Sequence, residues 1–322
     1  MRLTIVACAL LLTWARPNGA LAAAFDGLHP PGVMIDIGGR RMHMVCAGAD
    51  SAKPTVVFES GAFGFSADWS IVQSRLAAEG LRGCAYDRAG LGFSDPGPLP
   101  RDAMNITDDL QAMLKAAHVP GPYVLVSHSM AGLYVRLFAV RHPDEVAGLV
   151  LVDSTTPEAI DDRTTAAYVV GFTRGSRAAA WAASWGFLKI LRGTPLGNKI
   201  GLDGEAEAEK RFMFAYGPYN KAASEEVEQW PASARQAIAA GQVASGLPVA
   251  VIVAGDVHGP MRDVQKPPAL RSSHGYVDIV HGARHDALLG PVFCGAIVNG
   301  VNFVIAASGT PAAPVILAPS RD

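Results

Sequence analysis

The sequence contains little charge of either sign and no Lys/Arg-rich run. Only 17% of the 322 residues are charged, and 27 basic against 29 acidic residues give a formal net charge of −2. The chain therefore lacks the electrostatic footprint of a protein that binds nucleic acid or an anionic membrane. Half of the residues are apolar, and the 34 glycines and 22 prolines follow no collagen-like period, which excludes disordered and fibrous classes. We expect a globular protein with a small-molecule substrate; its oligomeric state does not follow from composition.

The first 24 residues have the composition of a secretory signal peptide. Arg2 precedes an apolar run from Leu3 to Trp14, and small residues from Gly19 to Ala24 follow it. This order predicts cleavage after Ala22 or Ala24. An uncleaved anchor is the alternative, but the apolar run is shorter than the ~20 residues that a bilayer requires. We therefore expect export to the periplasm or the medium, with no stable membrane insertion after cleavage.

Cysteine is scarce, and one of the four cysteines lies in the predicted leader. Cys46, Cys84 and Cys294 remain, and export permits a disulfide that leaves one thiol over. Cys46 lies in a strand-like run, and Cys84 lies at the start of another. Our hypothesis is a Cys46–Cys84 disulfide between neighbouring strands, with Cys294 free on the late apolar helix.

Short apolar runs typical of buried strands alternate with helical patterns along most of the chain. The strand candidates are 55–59, 83–86, 123–127, 148–152, 247–254 and 276–280, and the clearest helix candidates are 69–79, 105–117 and 130–141. This alternation predicts an α/β fold with a mostly parallel sheet.

The alternation stops between Ser154 and Gly246. These residues contain no strand-like run, and they are rich in alanine and aromatic residues with helical spacing. We interpret residues 154–246 as a helical cap inserted into an α/β core of residues 25–153 and 247–308. The Pro- and Ala-rich tail, 309–322, is expected to be loose.

A candidate nucleophile lies where an apolar strand runs into a helix. The sequence Ser127-His128-Ser129-Met130-Ala131 has the small-x-Ser-x-small form of a nucleophile elbow, with Ser and Ala in place of the two usual glycines. Such a turn forces its serine into an uncommon backbone conformation and exposes the hydroxyl above the sheet. The alternative is an ordinary N-cap serine. The strand before and the helix after Ser129 favour the elbow.

Four further stretches carry a family resemblance. They are 59–64 with Trp69, 87–94 (Asp-Arg-Ala-Gly-Leu-Gly-Phe-Ser), 149–153 and 282–289. Together with the elbow they make the sequence resemble an exported, esterase-like serine hydrolase of the α/β-hydrolase fold with a helical cap. The resemblance extends over essentially the whole mature chain and is weakest in the cap. It implies a mostly parallel eight-stranded sheet flanked by helices, and no cofactor.

A serine hydroxyl needs a base, and the base needs a carboxylate that orients it. His285 fits the base because it follows the last strand-like run and comes after the serine in chain order. His128 adjoins Ser129, but neighbouring residues at a sharp turn point apart, so packing is its expected role. For the acid, Asp153 and Asp256 both follow a strand. We favour Asp153, which stands where haloalkane-dehalogenase-like relatives carry theirs, and keep Asp256 open.

The resemblance also implies an oxyanion hole formed by the backbone N–H groups of Ala62 and Met130. His281 and His285 are four residues apart, but no acidic ligand signature accompanies them, so we expect no metal. Because epoxide hydrolases and dehalogenases of this fold carry Asp in place of Ser129, both activities are disfavoured.

The expected function is hydrolysis of carboxylic esters or similar small apolar acyl substrates through an acyl-enzyme. The alternatives are a peptidase, a lactonase or a C–C bond hydrolase of the same fold, or a non-catalytic ligand-binding relative.

Overall fold

The computed structural model describes residues 28, 30–256, 263–309 and 316–317, and these form one sheet with helices on both faces. The predicted signal peptide, 1–24, lies outside the described residues. Asp256 is the last described residue before the gap at 257–262.

The sheet has nine strands among the described residues, in the order β1-β2-β4-β3-β5-β6-β7-β8-β9. The β1–β2 and β2–β4 pairs are antiparallel and the other pairs are parallel. Strands β3 to β7 are buried almost throughout, which explains their uninterrupted apolar runs. The strands are β1 (Val33–Asp36), β2 (Arg41–Ala47), β3 (Val56–Glu59), β4 (Gly83–Tyr86), β5 (Tyr123–His128), β6 (Val146–Val152), β7 (Val249–Ala254), β8 (Gly275–Val280) and β9 (Ile316–Leu317).

The predicted α/β-hydrolase fold is confirmed, but the predicted strand number differs by one. Ile316 and Leu317 pair in parallel with Tyr276 and Val277 of β8, so two residues of the tail that we expected to be loose extend the sheet. Strand β9 was missed because both of its residues are exposed and it has only two of them.

Five helices cover the two faces of the sheet. On one face lie α1 (Ser70–Ala78) and α9 (Gly295–Ala307), packed on alternate residues of the central strands. On the other lie α2 (Ala103–Ala116), α3 (Gly132–Arg141) and α8 (Pro267–Arg271). Because the central strands are parallel, their carboxyl ends lie along one edge of the sheet. The candidate site residues follow β5, β6 and β8 at this edge.

Four helices lie in the chain between β6 and β7, all of whose intervening residues are described. They are α4 (Arg163–Ser184), α5 (Gly204–Ala215), α6 (Gly217–Glu228) and α7 (Trp230–Ala240). We call residues 163–240 the helical segment. Asp162 caps α4 by accepting a hydrogen bond from the N–H of Thr165 at 2.9 Å. Trp230 and Val227 of the segment pack with Leu133 and Tyr134 of α3 in a separate apolar cluster.

The predicted disulfide is present. Cys46 of β2 and Cys84 of β4 face each other in the antiparallel register and are joined, while Cys294 is a buried free thiol directly before α9. Within the ranges that the structure describes, none of the helices combines the length and apolarity needed to cross a membrane.

Candidate active site

Ser129 lies on a sharp turn between β5 and α3. Its backbone has φ = 58°, in the left-handed region that non-glycine residues avoid, and a short 3-10 turn from Ser129 to Ala131 leads into α3. Its side chain is half-buried, whereas Met130 and Ala131 are fully buried. This strained turn is the strand-to-helix elbow that the sequence predicts.

Small residues are required around the elbow because β6 and its loop pass close by. A Cβ atom on Gly132 would lie 2.6 Å from the carbonyl oxygen of Thr155 and 2.8 Å from Cβ of Ser154. Ser127 is fully buried, and its hydroxyl lies 3.0 Å from the hydroxyl of Ser154. The N–H of Thr155 donates to the carbonyl of Ser129 at 2.8 Å. The loop after β6 therefore holds the turn in place.

His285 and Asp153 form a direct hydrogen bond. Nδ1 of His285 and Oδ2 of Asp153 are 2.5 Å apart. Asp153 directly follows β6, is buried, and has φ = 43°; its Oδ1 also accepts the N–H of Ala254 at 3.2 Å. With Nδ1–H donated to Asp153, Nε2 of neutral His285 is the acceptor. Such a pair has the form of a base and its orienting carboxylate.

Asp256, the other candidate acid, lies at the end of the neighbouring strand β7. Its backbone N–H donates to the carbonyl of Ala283 at 3.1 Å, and the residue is exposed. Of the two carboxylates that the sequence leaves open, the one bonded to His285 is Asp153.

The electrostatics of the pair favour its charged form. Burial opposes ionisation of Asp153, but the hydrogen bond and charge of His285 outweigh it, so the pKa of Asp153 lies below its usual value. Burial would likewise lower the pKa of His285, but the hydrogen bond and charge of Asp153 raise it above 6.5. The imidazolium that forms when His285 accepts a proton is therefore stabilised where it lies.

His128 packs on His285. The two rings have centroids 4.3 Å apart, and Nε2 of His128 lies 3.2 Å from the backbone oxygen of His285. Burial, followed by the nearby His285, lowers the pKa of His128 to about 3, so it stays neutral at physiological pH. His128 thus supports the ring of His285 without competing as a base. Since Ser129 directly follows His128, the elbow and His285 meet at the same edge of the sheet.

The loop after β3 approaches the elbow closely. A Cβ atom on Gly61 would lie 2.9 Å from Cβ of Ser129 and 3.1 Å from Nδ1 of His128, so this position needs glycine. The next residue is Ala62. Among the described residues, the backbone N–H groups of Ala62 and Met130 form no hydrogen bond with another loop or element. The loop thus brings Ala62 beside the elbow that carries Met130.

Arg88 fixes the orientation of this loop. Its guanidinium donates to the carbonyl oxygens of Ser60 at 2.5 Å and of Gly61 at 2.9 Å. In a planar trans peptide the C=O and N–H groups point in opposite directions. Because the Gly61 carbonyl points toward Arg88, the N–H of Ala62 points away from Arg88. Arg88 thereby orients the predicted oxyanion donor from behind.

The helical segment holds the same loop from the other side. The hydroxyl of Tyr219 and Nζ of Lys210 donate to the carbonyl of Phe63 at 2.6 Å and 3.1 Å. Lys210 also pairs with buried Asp68 at 2.7 Å. Residues 60–63 are therefore fixed by contacts from both the sheet and the segment.

Aromatic side chains of the helical segment pack in one apolar cluster with Ala62 and Phe63. Phe63 packs edge-to-face on Phe172 of α4, with ring centroids 6.4 Å apart. Phe172 in turn stacks on Tyr168 and contacts Trp230 of α7. The pKa of Tyr168 is raised, first by burial and then by the charges of Asp286 and Asp153. An aromatic cluster of the segment thus lies beside Ala62 and Phe63.

Two supporting residues escaped the sequence analysis. Glu226 of α6 pairs with Arg88 at 2.8 Å, and the side chain of Gln265 helps to lower the pKa of Asp153. Neither lies in a motif, and Glu226 is 138 residues from Arg88. Glu226 does offer one signal in the sequence. It is an acidic residue at a helix position that should face the interior, and an acidic residue is rarely buried without a partner.

Comparison with known proteins supports the fold. A model of the family described as alpha/beta hydrolase fold matches residues 54–183. An uncharacterized protein of Schizosaccharomyces pombe is 28% identical over 308 residues, which cover 83% of this chain and 54% of that protein. The sn-1-specific diacylglycerol lipase ABHD11 of Mus musculus is 31% identical over 148 residues, 45% of this chain and 43% of its own. The chain thus spans about half the length of these relatives.

Solved structures of similar shape have the same architecture. A candidate epoxide hydrolase of Pseudomonas aeruginosa superimposes with a TM-score of 0.66 at 16% identity, over 85% of this chain and 95% of that one. A candidate lipase of Acinetobacter baumannii gives 0.63 at 16% identity, over 91% and 97% of the two chains. At this identity the likeness concerns the fold alone. Together with the family match over residues 54–183 and the strand order, it shows that the chain has the α/β-hydrolase fold.

Proposed function

We propose that the protein is a serine hydrolase in which Ser129 is the nucleophile, His285 the general base and Asp153 the carboxylate that orients it. The observation that carries the proposal is the 2.5 Å hydrogen bond between His285 and Asp153 beside the strained elbow of Ser129. Strain of this kind is retained at functional sites because the surrounding structure maintains it.

In the mechanism that we propose, each of these residues has one role. Nε2 of His285 accepts the proton of the Ser129 hydroxyl as its oxygen attacks the substrate carbonyl, and the developing oxyanion accepts hydrogen bonds from the N–H groups of Ala62 and Met130. His285 then gives its proton to the leaving alcohol, which leaves an acyl-enzyme. A water molecule, deprotonated by His285, hydrolyses this ester and restores Ser129.

The substrate class that fits is a carboxylic ester with an apolar acyl group, or a similar small acyl compound. Its support is the aromatic cluster of Phe63, Phe172, Tyr168 and Trp230 beside Ala62. Apolar pockets with a few convergent polar groups bind small apolar ligands. In this arrangement the helical segment acts as a cap over residues 60–63, which we call the oxyanion loop. Tyr219 and Lys210 bond the carbonyl of Phe63 in this loop, and Glu226 pairs with Arg88, which holds the loop from the other side.

A fluorophosphonate probe with intact-mass detection tests the nucleophile. Wild-type protein should gain one probe adduct, Ser129→Ala should gain none, and the matched elbow variant Ser127→Ala should still be labelled. A folded wild-type protein that neither reacts with the probe nor hydrolyses any ester would contradict the proposal and favour a ligand-binding role.

A substrate series tests the class. p-Nitrophenyl esters of increasing acyl length should be hydrolysed with a kcat/KM that exceeds the values for lactones and for aminoacyl amides. A preference for lactones or amides would mean that the same residues serve a lactonase or a peptidase and not an esterase.

We also propose export through the leader at 1–24. The Cys46–Cys84 disulfide supports it, because such bonds persist in oxidising compartments. The intact mass of protein recovered from the periplasm or the medium of a secreting host should correspond to cleavage after Ala22 or Ala24; retention of the full leader there would overturn cleavage.

A further inference from the structure

The end of α4 and the turn after it expose a cluster of large apolar side chains. Trp181 is 61% exposed, Trp185 is 70% exposed and Ile190 is 82% exposed. Ring contacts join Trp181 to Trp185 and to Phe187, with centroids 6.5 Å and 5.7 Å apart. We call Trp181, Trp185, Phe187, Ile190 and Leu191 the aromatic patch. By contrast, Trp69 and Trp230 are buried in the core. Exposed apolar clusters of this kind mark interaction surfaces.

The stretch of chain that carries the patch has charge of one sign. Residues 163–202 contain six basic residues and no Asp or Glu: Arg163, Arg174, Arg177, Lys189, Arg192 and Lys199. Arg177 pairs with Glu228, and the structure gives the other five no acidic salt-bridge partner among the described residues. Since the whole chain has a net charge of −2 and this stretch +6, the rest of the chain is net −8. The balanced total of the whole chain therefore conceals a basic stretch at the patch. Glu207 of α5 also lies beside it, paired with Arg211, which donates to the carbonyl of Arg192.

The basic residues adjoin the patch directly. Lys189 lies inside the 3-10 turn Phe187–Ile190, and Arg192 follows Leu191; both are exposed. Tryptophan favours the headgroup level of a bilayer, aliphatic side chains enter the acyl boundary, and each Lys or Arg near an anionic lipid surface adds to binding. A second copy of this chain is a poorer partner, because two such faces would bring like charges together.

We propose that the aromatic patch, with Lys189 and Arg192, docks the protein peripherally on an anionic lipid surface. Phe172, on the same helix α4, contacts Phe63 of the oxyanion loop, and Trp181 and Trp185 follow nine and thirteen residues later. At 1.5 Å per residue the patch lies about 14–20 Å from that contact along the helix. Docking therefore brings the aromatic cluster around Phe63 and Phe172 near the lipid, where apolar acyl substrates concentrate. The docking itself does not depend on the reactivity of Ser129.

Tryptophan fluorescence with bromine-labelled lipids tests the docking. The full chain carries Trp14→Phe, so that Trp181 and Trp185 are its exposed tryptophans while Trp69 and Trp230 give a constant background. With vesicles of phosphatidylcholine and about one third phosphatidylglycerol, emission should shift to the blue and be quenched by brominated acyl chains, and salt should weaken the effect. Vesicles of phosphatidylcholine alone should give little change. Because the quenching comes from Trp181 and Trp185, it detects docking of the patch even if another part of the chain also contacts the vesicle.

Charge-reversal variants with a matched control complete the test. Lys189→Glu/Arg192→Glu should lower partitioning onto the anionic vesicles roughly tenfold or more. Lys53→Glu/Lys115→Glu makes the same change in net charge at exposed positions outside the patch and should lower it much less. All variants should hydrolyse or bind a soluble ester as the parent does and keep its circular dichroism. Absence of quenching on anionic vesicles, equal quenching on neutral ones, or equal losses in both double variants would overturn the proposal.

Discussion

Arg88 and Glu226 form a buried ion pair that joins the core to the helical segment. Nη2 of Arg88 donates to Oε2 of Glu226 at 2.8 Å, and both side chains are almost completely excluded from solvent. The same guanidinium pairs with Glu59 at 2.7 Å and holds the carbonyls of Ser60 and Gly61. A contact from the segment is thus transmitted through one side chain to the loop that carries Ala62.

Replacing Arg88 by Met should destabilise the protein by about 3–5 kcal/mol, because it leaves two buried carboxylates without their counter-charge. Burial already raises the pKa of Glu59, so protonation relieves part of this cost, and the loss should be smaller at pH 5 than at pH 8. Urea unfolding at the two pH values measures it. Arg177→Met, which removes the exposed pair with Glu228, should cost at most ~1 kcal/mol. Equal losses of unfolding free energy in the two variants would show that the buried pair of Arg88 stabilises the protein no more than an exposed pair does.

Gly61→Ala should reduce activity far more than stability. The added methyl group would lie 2.9 Å from Cβ of Ser129, so either the loop or the elbow must shift away from its position. Misplacing one oxyanion donor costs ~10²–10³ in rate. The readout is kcat/KM for a p-nitrophenyl ester, with thermal unfolding measured in parallel.

Gly171→Ala is the control for that substitution. Gly171 lies within α4, and a Cβ atom there meets nothing within 4 Å. Alanine should leave activity unchanged and stabilise the helix by up to ~1 kcal/mol. A Gly61→Ala protein as active as the parent would mean that the loop is not part of the oxyanion hole.

Asp153→Asn should lower kcat by roughly 10⁴, because the base loses the partner that fixes its tautomer and stabilises its charged form. In the parent the pKa of His285 is raised, so activity, which needs the neutral ring, should fall as the pH drops through a value above 6.5. Without the carboxylate, the pKa of His285 should be lower than in the parent, so the residual activity of the variant should persist to lower pH. The pH dependence of kcat/KM measures both shifts.

Asp256→Asn is the matched carboxylate control for this prediction. Its effect on kcat should be small, and the acid limb of its profile should coincide with that of the parent. If Asp256→Asn carries the large loss and Asp153→Asn is active, the hydrogen bond between His285 and Asp153 is not the one that serves catalysis.

The sequence predicts the central sheet well because β3 to β7 are buried on both faces. Their residues must be apolar throughout, and the predicted 83–86 coincides with β4. The sequence analysis missed strand β1. It lies at the exposed edge of the sheet, and its four residues do not alternate between apolar and polar.

The sequence favours Asp153 as the acid but does not exclude Asp256, for a physical reason. Strands β6 and β7 are neighbours in the sheet, so Asp153 and Asp256, which follow them, both come to the same edge. Which of them reaches His285 depends on the left-handed backbone of Asp153 and on the course of the loops, neither of which a strand pattern encodes. The partnership of Arg88 with Glu226 is hidden likewise, because it joins elements that only the three-dimensional packing brings together.

Glu209 of α5 is a buried carboxyl group that the proposed mechanism does not use. It is 4% exposed and borders a cavity of about 340 Å³ next to α1. Burial and then the negative charge of Asp87 raise its pKa to about 7, although His43, which pairs with Asp87 at 2.8 Å, acts in the opposite direction. Between pH 4.5 and 7 the folded protein therefore retains a proton that the unfolded chain has released.

Glu209→Gln should consequently stabilise the protein at alkaline pH and leave it unchanged in acid. In the parent, the free energy of unfolding falls as the pH rises from about 4.5 to about 7, because the unfolded state binds fewer protons over that interval. At pH 8 the variant should be more stable by roughly 1–3 kcal/mol, the lower figure allowing for solvent that screens the group through the cavity. Urea unfolding at pH 4.5 and pH 8 measures the difference. The control is Glu205→Gln, an exposed residue of the same helix whose charge has the smallest of the effects on Glu209, and it should change both values much less. A Glu209→Gln protein that is less stable than the parent at pH 8 would mean that the ionised carboxylate has a favourable partner, and that burial does not dominate its energetics.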